Sequence, residues 1–103
     1  MTPEGIVKES IKEILDLRKP DLYYDMPVPS GYGKPTLDFI CCYLGHYFAI
    51  EAKRRKKRPT ARQEGTRDDM IAAGGVVFVI DGEDGCILLD LWLTEMSKKR
   101  ISI

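Results

Sequence analysis

Apolar residues Val7, Ile11, Ile14 and Leu15 recur at helical spacing between Thr2 and Lys19. The pattern predicts a first helix with Pro3 in its opening turn and Pro20 ending it. At about 100° per residue, Glu4 shares the stripe of Val7 and Ile11, whereas Glu9 falls opposite and Glu13 to the side. Glu4 is therefore expected to point inward, either solvated at a frayed first turn or serving a site. Residues 21–35 carry Tyr23, Tyr24, three of the six prolines and Ser30-Gly31-Tyr32-Gly33, which predicts a short strand and an exposed loop. Loops of this kind often touch ligands. Thr36 to Leu44 and Tyr47 to Lys53 are rich in β-branched, aromatic and apolar residues and flank Gly45-His46, as in a hairpin. Both faces of these strands are apolar, so helices are expected on each side of the sheet. Arg54 to Pro59 reads as a basic loop, and Thr60-x-x-Gln63 has capping-box spacing for a helix running to about Ala73. Gly74-Gly75 stops that helix before the continuous apolar run Val76 to Ile80, a buried strand. A turn over 81–85 leads to a closing helix from Ile87, with an ambiguous start, to about Lys98, on which Leu88, Leu91, Trp92, Glu95 and Met96 keep a 3.6 period. No internal repeat is present.

The chain has 103 residues, 44% hydrophobic and 31% charged, which predicts one compact domain over 1–103 and argues against disorder. No run approaches the ~20 apolar residues of a membrane helix. Met1-Thr2-Pro3-Glu4 is neither basic nor followed by an apolar signal core, so a cytoplasmic protein with no membrane partner is expected. Three cysteines cannot all pair, and Cys41 and Cys42, adjacent on a strand, point to opposite faces, which argues against disulfides and against a cysteine metal cluster. His46 is the single histidine, which removes histidine-rich zinc sites and nucleases built on paired histidines. Sixteen basic residues balance sixteen acidic ones, yet Lys53-Arg54-Arg55-Lys56-Lys57-Arg58 sets six positive charges in a row.

The chemistry concentrates in Asp38 and Glu51-Ala52-Lys53. Residues two apart on a strand share a face, so Glu51 and Lys53 project together. If Gly45-His46 forms the turn, Leu44 meets Tyr47 and Cys42 meets Ala49, which sets Asp38 opposite Lys53 and brings all three charges to one face. A three-residue loop or a bulge would scatter them. A cross-strand ion pair at the sheet edge, worth ~1 kcal/mol or less, would account for Asp38 and Lys53 alone. The third charge and the basic run directly after it point to a site instead. Two carboxylates suit a hard cation such as Mg²⁺, and Lys53 would lie beside an attacking water. Arg62 and Arg67 extend the basic run along the next helix, a patch fit to bind phosphates without reading sequence. Gln63 is open to two uses, capping and site contact.

These residues resemble the PD-(D/E)XK nuclease superfamily, and within it the small VRR-NUC family. The resemblance spans most of the chain: an opening helix with Glu4, Asp38 in the second strand, Glu51-Ala52-Lys53 in the third, Gln63 on the following helix, and Gly74-Gly75 leading into the last strand. Leu37 precedes Asp38, so the proline-aspartate signature is not intact. The resemblance implies an α/β, restriction-endonuclease-like α-β-β-β-α-β core with a mixed sheet and an extra C-terminal helix. It further implies metal-dependent hydrolysis of DNA, with Asp38, Glu51 and the Ala52 carbonyl holding Mg²⁺ or Mn²⁺ and Lys53 at the nucleophilic water. Glu4, with Glu9 in reserve, would act at the metal directly or through water, and Gln63 would support the site.

The leading expectation is a structure-selective DNA endonuclease, of the Holliday-junction resolvase kind, working as a homodimer in a bacterial or phage-infected cell. Arg54, Arg55, Lys56, Lys57, Arg58, Arg62 and Arg67 would carry DNA contacts. No base-reading module fits beside such a core in this length, so specificity would come from DNA shape. Two other readings stand beside it: a flap- or nick-directed nuclease of the same fold, and a non-catalytic nucleic-acid-binding module.

Overall fold

The structure, a computed structural model, describes residues 2–28, 36–54 and 61–102, with the backbone alone for 61–63. The order is α1 (Pro3–Asp16), β1 (Leu22–Asp25), β2 (Phe39–Tyr43), β3 (His46–Ala52), α2 (Ala61–Ala72), β4 (Val76–Ile80) and α3 (Glu83–Met96). The strands form one sheet in the order β1-β2-β3-β4, antiparallel except for the parallel β3–β4 pair. This is the α-β-β-β-α-β core with a mixed sheet and a closing helix expected from the sequence. None of its described helices is long and apolar enough to cross a membrane.

α1 starts where Thr2 Oγ1 accepts the Gly5 N–H at 3.0 Å, with Pro3 in the first turn. It buries Val7, Ile11 and Leu15 and ends at Asp16, short of the expected Lys19. α2 starts at Ala61, immediately after Thr60, which lies outside the described residues. Its end is a Schellman turn: Gly75 N–H reaches Met70 O at 2.8 Å, Gly74 N–H reaches Ile71 O at 3.0 Å, and Gly74 takes φ +91°.

Alternation along the strands separates the two faces of the sheet. Phe39, Cys41, Phe48, Ile50, Ala52 and Ile80 join the core under α1 and α3, with Val7, Ile11, Leu15, Leu89 and Leu93. Cys41 is buried there, and burial pushes its thiol up to about 12, whereas Cys42 on the other face is exposed. The opposite-face expectation for this pair holds.

The hairpin turn differs from the expected one. Tyr43 pairs with His46, so Leu44 and Gly45 form the two-residue loop, with φ 51° and 90°. Positive φ at both positions is the I′ geometry whose twist suits a hairpin. The chain tail holds this turn: Ile101 N–H donates to Leu44 O at 2.9 Å, and His46 Nε2 donates to Lys99 O at 2.6 Å. The register therefore shifts by two residues, with Phe39 against Ile50. An even shift preserves which face each residue occupies.

α3 also departs from expectation, since it begins at Glu83, inside the segment read as a turn. Glu83 and Asp84 in its first turn favour that start through the helix dipole. Its buried residues are Leu89 and Leu93, flanked by Cys86, Trp92 and Met96, while Ile87, Leu88 and Leu91 are exposed. The inward stripe is thus rotated from the one read through Leu88 and Leu91.

Arg18, just beyond α1, ties three elements together. Its guanidinium donates to Tyr43 Oη at 3.2 Å, to Thr94 Oγ1 at 2.9 Å and to Asp90 Oδ1 at 3.1 Å. It also lies 5.5 Å from the centre of the Tyr43 ring. Arg18→Ala is expected to lower the unfolding free energy by about 1–2 kcal/mol. A urea titration with an unchanged midpoint would show that this junction is energetically idle.

Candidate metal and catalytic site

The β2 ladder ends at Phe39, and Asp38 continues it with its side chain: Asp38 Oδ2 accepts the Ala52 N–H at 2.8 Å. One carboxylate oxygen is thereby fixed against the end of β3, at the point where the next backbone acceptor would lie. In a strand the carbonyl of a residue leaves on the same side as its N–H, so the Ala52 carbonyl belongs to the Asp38 side. On the other side, Lys53 N–H donates to Ile80 O at 2.8 Å, which keeps Lys53 tied to β4 just past the end of β3.

Glu51 is 2% exposed and Lys53 5% exposed, and Lys53 Nζ lies 3.2 Å from Glu51 Oε1. Lysine and glutamate are almost never buried this deeply unless paired. Continued by one residue, the observed register sets Asp38 opposite Glu51, where the expected register had set it opposite Lys53. Burial first, and the negative charge of Asp38 second, push the Glu51 carboxyl up to about 7, with Lys53 pulling against both. Two carboxylates and an ammonium therefore meet at one end of the sheet, as read from the strands, although the turn used in that reading was off by one residue.

Glu4 is half-buried on α1 and lines a shallow depression with Thr2, Pro3 and Arg54. It does not join Asp38 and Glu51 in a triad, since no group of three or more candidate ligand side chains occurs among the described residues. Glu9 pairs with Lys12 at 3.4 Å on the exposed side of α1. Arg54 is exposed, and Arg67 on α2 lies 3.5 Å from its neighbour Asp68. Arg55, Lys56, Lys57 and Arg58, and the side chains of Arg62 and Gln63, lie outside the described residues, as does the Ser30 to Gly33 loop.

Lys8 is a neighbour of Asp38 that the sequence alone did not single out. Its Nζ lies 3.6 Å from Asp38 Oδ1. The helical wheel that turns Glu4 inward puts Lys8, four residues on, about 40° away.

The donor set suits a hard divalent ion. Mg²⁺ and Mn²⁺ favour carboxylate and carbonyl oxygens and complete their shells with water and substrate phosphate. Asp38, Glu51 and the Ala52 carbonyl provide such oxygens. Two acidic groups held close, one of them buried, are electrostatically costly without counter-charge, here supplied by Lys53 and Lys8.

Among solved structures, the chain is similar to one titled "VRR_NUC domain", with a TM-score of 0.66 and 19% sequence identity over 95% of this chain and 97% of that one. The α/β fold of this protein is the VRR_NUC fold. No protein-family profile and no curated protein matches the chain.

Proposed function

We propose that this protein is a metal-dependent, structure-selective DNA endonuclease. The observation that carries the reading is the buried Glu51–Lys53 pair beside Asp38 at one end of the sheet. A fold of this size needs no such arrangement for stability, because replacing a buried ion pair with apolar residues is often neutral or stabilising.

Asp38, Glu51 and the Ala52 carbonyl would hold Mg²⁺ or Mn²⁺, with Glu4 acting through water. When bound, the ion supplies Lewis-acid neutralisation of charge on the scissile phosphate. Lys53, fixed by Glu51, orients the attacking water and stabilises the negative charge that develops on phosphorus oxygens, an effect strengthened by its burial. Asp38, anchored through Oδ2 on the Ala52 N–H, keeps its geometry when substrate arrives. Arg54 to Arg58, Arg62 and Arg67 would contact phosphates and set the position of the duplex, and Gln63 would support the site from α2.

A Holliday-junction-type resolvase working as a homodimer is the favoured substrate reading. It is supported by the exposed apolar face of α3, Ile87, Leu88 and Leu91, with Leu17 exposed beside it at the end of α1. A two-fold dimer on that face would present two sites to the two symmetric strands of a junction. End-labelled four-way junction, flap and linear duplex, each incubated with protein and Mg²⁺ or Mn²⁺, test this. Paired symmetric incisions confined to the junction are expected. Preferential cutting at the flap would move the protein to the flap- and nick-directed class, and salt-sensitive DNA retention without any cut would make it a binding module.

A further inference from the structure

Among the described residues, Lys53 Nζ lies 3.2 Å from the Glu51 carboxylate and Lys8 Nζ 3.6 Å from that of Asp38. The two cations are held very differently. Lys53 is buried and follows directly on β3, whereas Lys8 is partly exposed and reaches Asp38 from α1. One turn before Lys8, Glu4 shares a depression with Arg54, again one charge of each sign. Among the described residues, each of these carboxylates is thus balanced by a cationic neighbour.

That balance has a consequence for any divalent ion. An ion that uses Asp38 must compete with the Lys8 ammonium for the same carboxylate, and its arrival leaves the site with surplus positive charge. A phosphodiester of DNA brings negative charge back and offers the displaced ammonium a new partner.

We propose that Lys8 is a displaceable counter-ion of Asp38 that passes to a DNA phosphate when the metal enters, so that metal and DNA bind cooperatively. This rests on the metal-site reading above and adds to it a positioning residue that couples the two ligands. The coupling is reciprocal by thermodynamic necessity, so each ligand tightens the other by the same factor. It also keeps the protein largely unloaded until DNA is present.

The test is direct metal binding, which does not depend on turnover. Mn²⁺ is titrated calorimetrically into wild type, Lys8→Met and Lys8→Arg without DNA. Ca²⁺-dependent binding of a fluorescent duplex is then followed by anisotropy for the same proteins. Met preserves the length and packing of the side chain, and Arg preserves the charge. DNA-free Mn²⁺ affinity should be about five- to tenfold tighter in Lys8→Met. The factor by which Ca²⁺ strengthens DNA binding should fall several-fold in Lys8→Met and be retained in Lys8→Arg. A merely structural Lys8 would move neither quantity in this pattern. Equal Mn²⁺ affinities in wild type and Lys8→Met, or an unchanged coupling factor, would overturn the proposal. Absence of Mn²⁺ binding by wild type and Lys8→Met alike, with and without DNA, would remove it together with the metal site. Intact coupling in a protein that cuts no DNA would keep the role of Lys8 and overturn only the nuclease reading.

Discussion

Replacing Lys53 with Met should leave the protein folded while lowering metal-dependent DNA cleavage by about 10²- to 10³-fold, the scale of losing one pre-organised charge stabiliser in a water-excluded site. Met fills nearly the same volume, so the packing around a side chain only 5% exposed is kept. The lost ammonium would ordinarily strand a buried carboxylate, at a cost of several kcal/mol. Here the Glu51 carboxyl already stands at about 7, and removing Lys53 pushes it further up, so the group takes a proton and remains neutral. Lys53→Ala combines that change with a void and is expected to be the less stable variant. Circular dichroism and thermal melting check the fold, and single-turnover cleavage reads the chemistry. Turnover within tenfold of wild type would take Lys53 out of the mechanism.

The second large effect is on stability. The Glu51 carboxyl moves from an ordinary value of 4.5 to about 7 in the folded protein, chiefly through burial and then through Asp38. The folded chain therefore binds more protons than the unfolded one between these values. The resulting stabilisation is fully present below pH 4.5 and is lost as pH rises through about 7. The loss is on the order of 3 kcal/mol, at 1.36 kcal/mol per pKa unit. Glu51→Gln removes the titrating group. The stability of this variant relative to wild type should rise by that amount between pH 4.5 and 8 when both are unfolded in urea without divalent ions. Divalent ions should then restabilise wild type at high pH and leave Glu51→Gln much less affected, because only the folded wild type offers the site. Parallel pH profiles for the two proteins would show that the carboxyl is not strained by its surroundings.

Much of the architecture was readable because it rests on short-range periodicity. The stripe Val7, Ile11, Leu15 and the run Val76 to Ile80 declare a helix and a buried strand without reference to the rest of the chain. That Asp38, Glu51 and Lys53 converge was readable because strand parity is robust. The turn is at Leu44-Gly45 and not at Gly45-His46, yet a two-residue change of register returns every side chain to the same face. What escaped depended on tertiary context. Leu44 accepts positive φ under a tail that binds the turn through Ile101 and Lys99, a contact between residues far apart in sequence. α3 chose Leu89 and Leu93 over the equally periodic Leu88 and Leu91, because its apolar residues run nearly all round and only the packing decides the inward face. Lys8 was overlooked because a lysine on a helix surface is ordinarily solvated, and its role depends on Asp38, thirty residues away, being brought beneath it.

Asp38, Glu51 and Lys53 are proposed to form a metal-dependent phosphodiesterase site. Its most direct test is incubation of a 5′-labelled four-way junction with wild type and with Glu51→Gln, in Mg²⁺ and in a chelator. Cleavage by wild type in Mg²⁺ alone, absent from Glu51→Gln under every condition, is the predicted result. Equal cleavage by both proteins, or cleavage that persists in the chelator, would contradict the account.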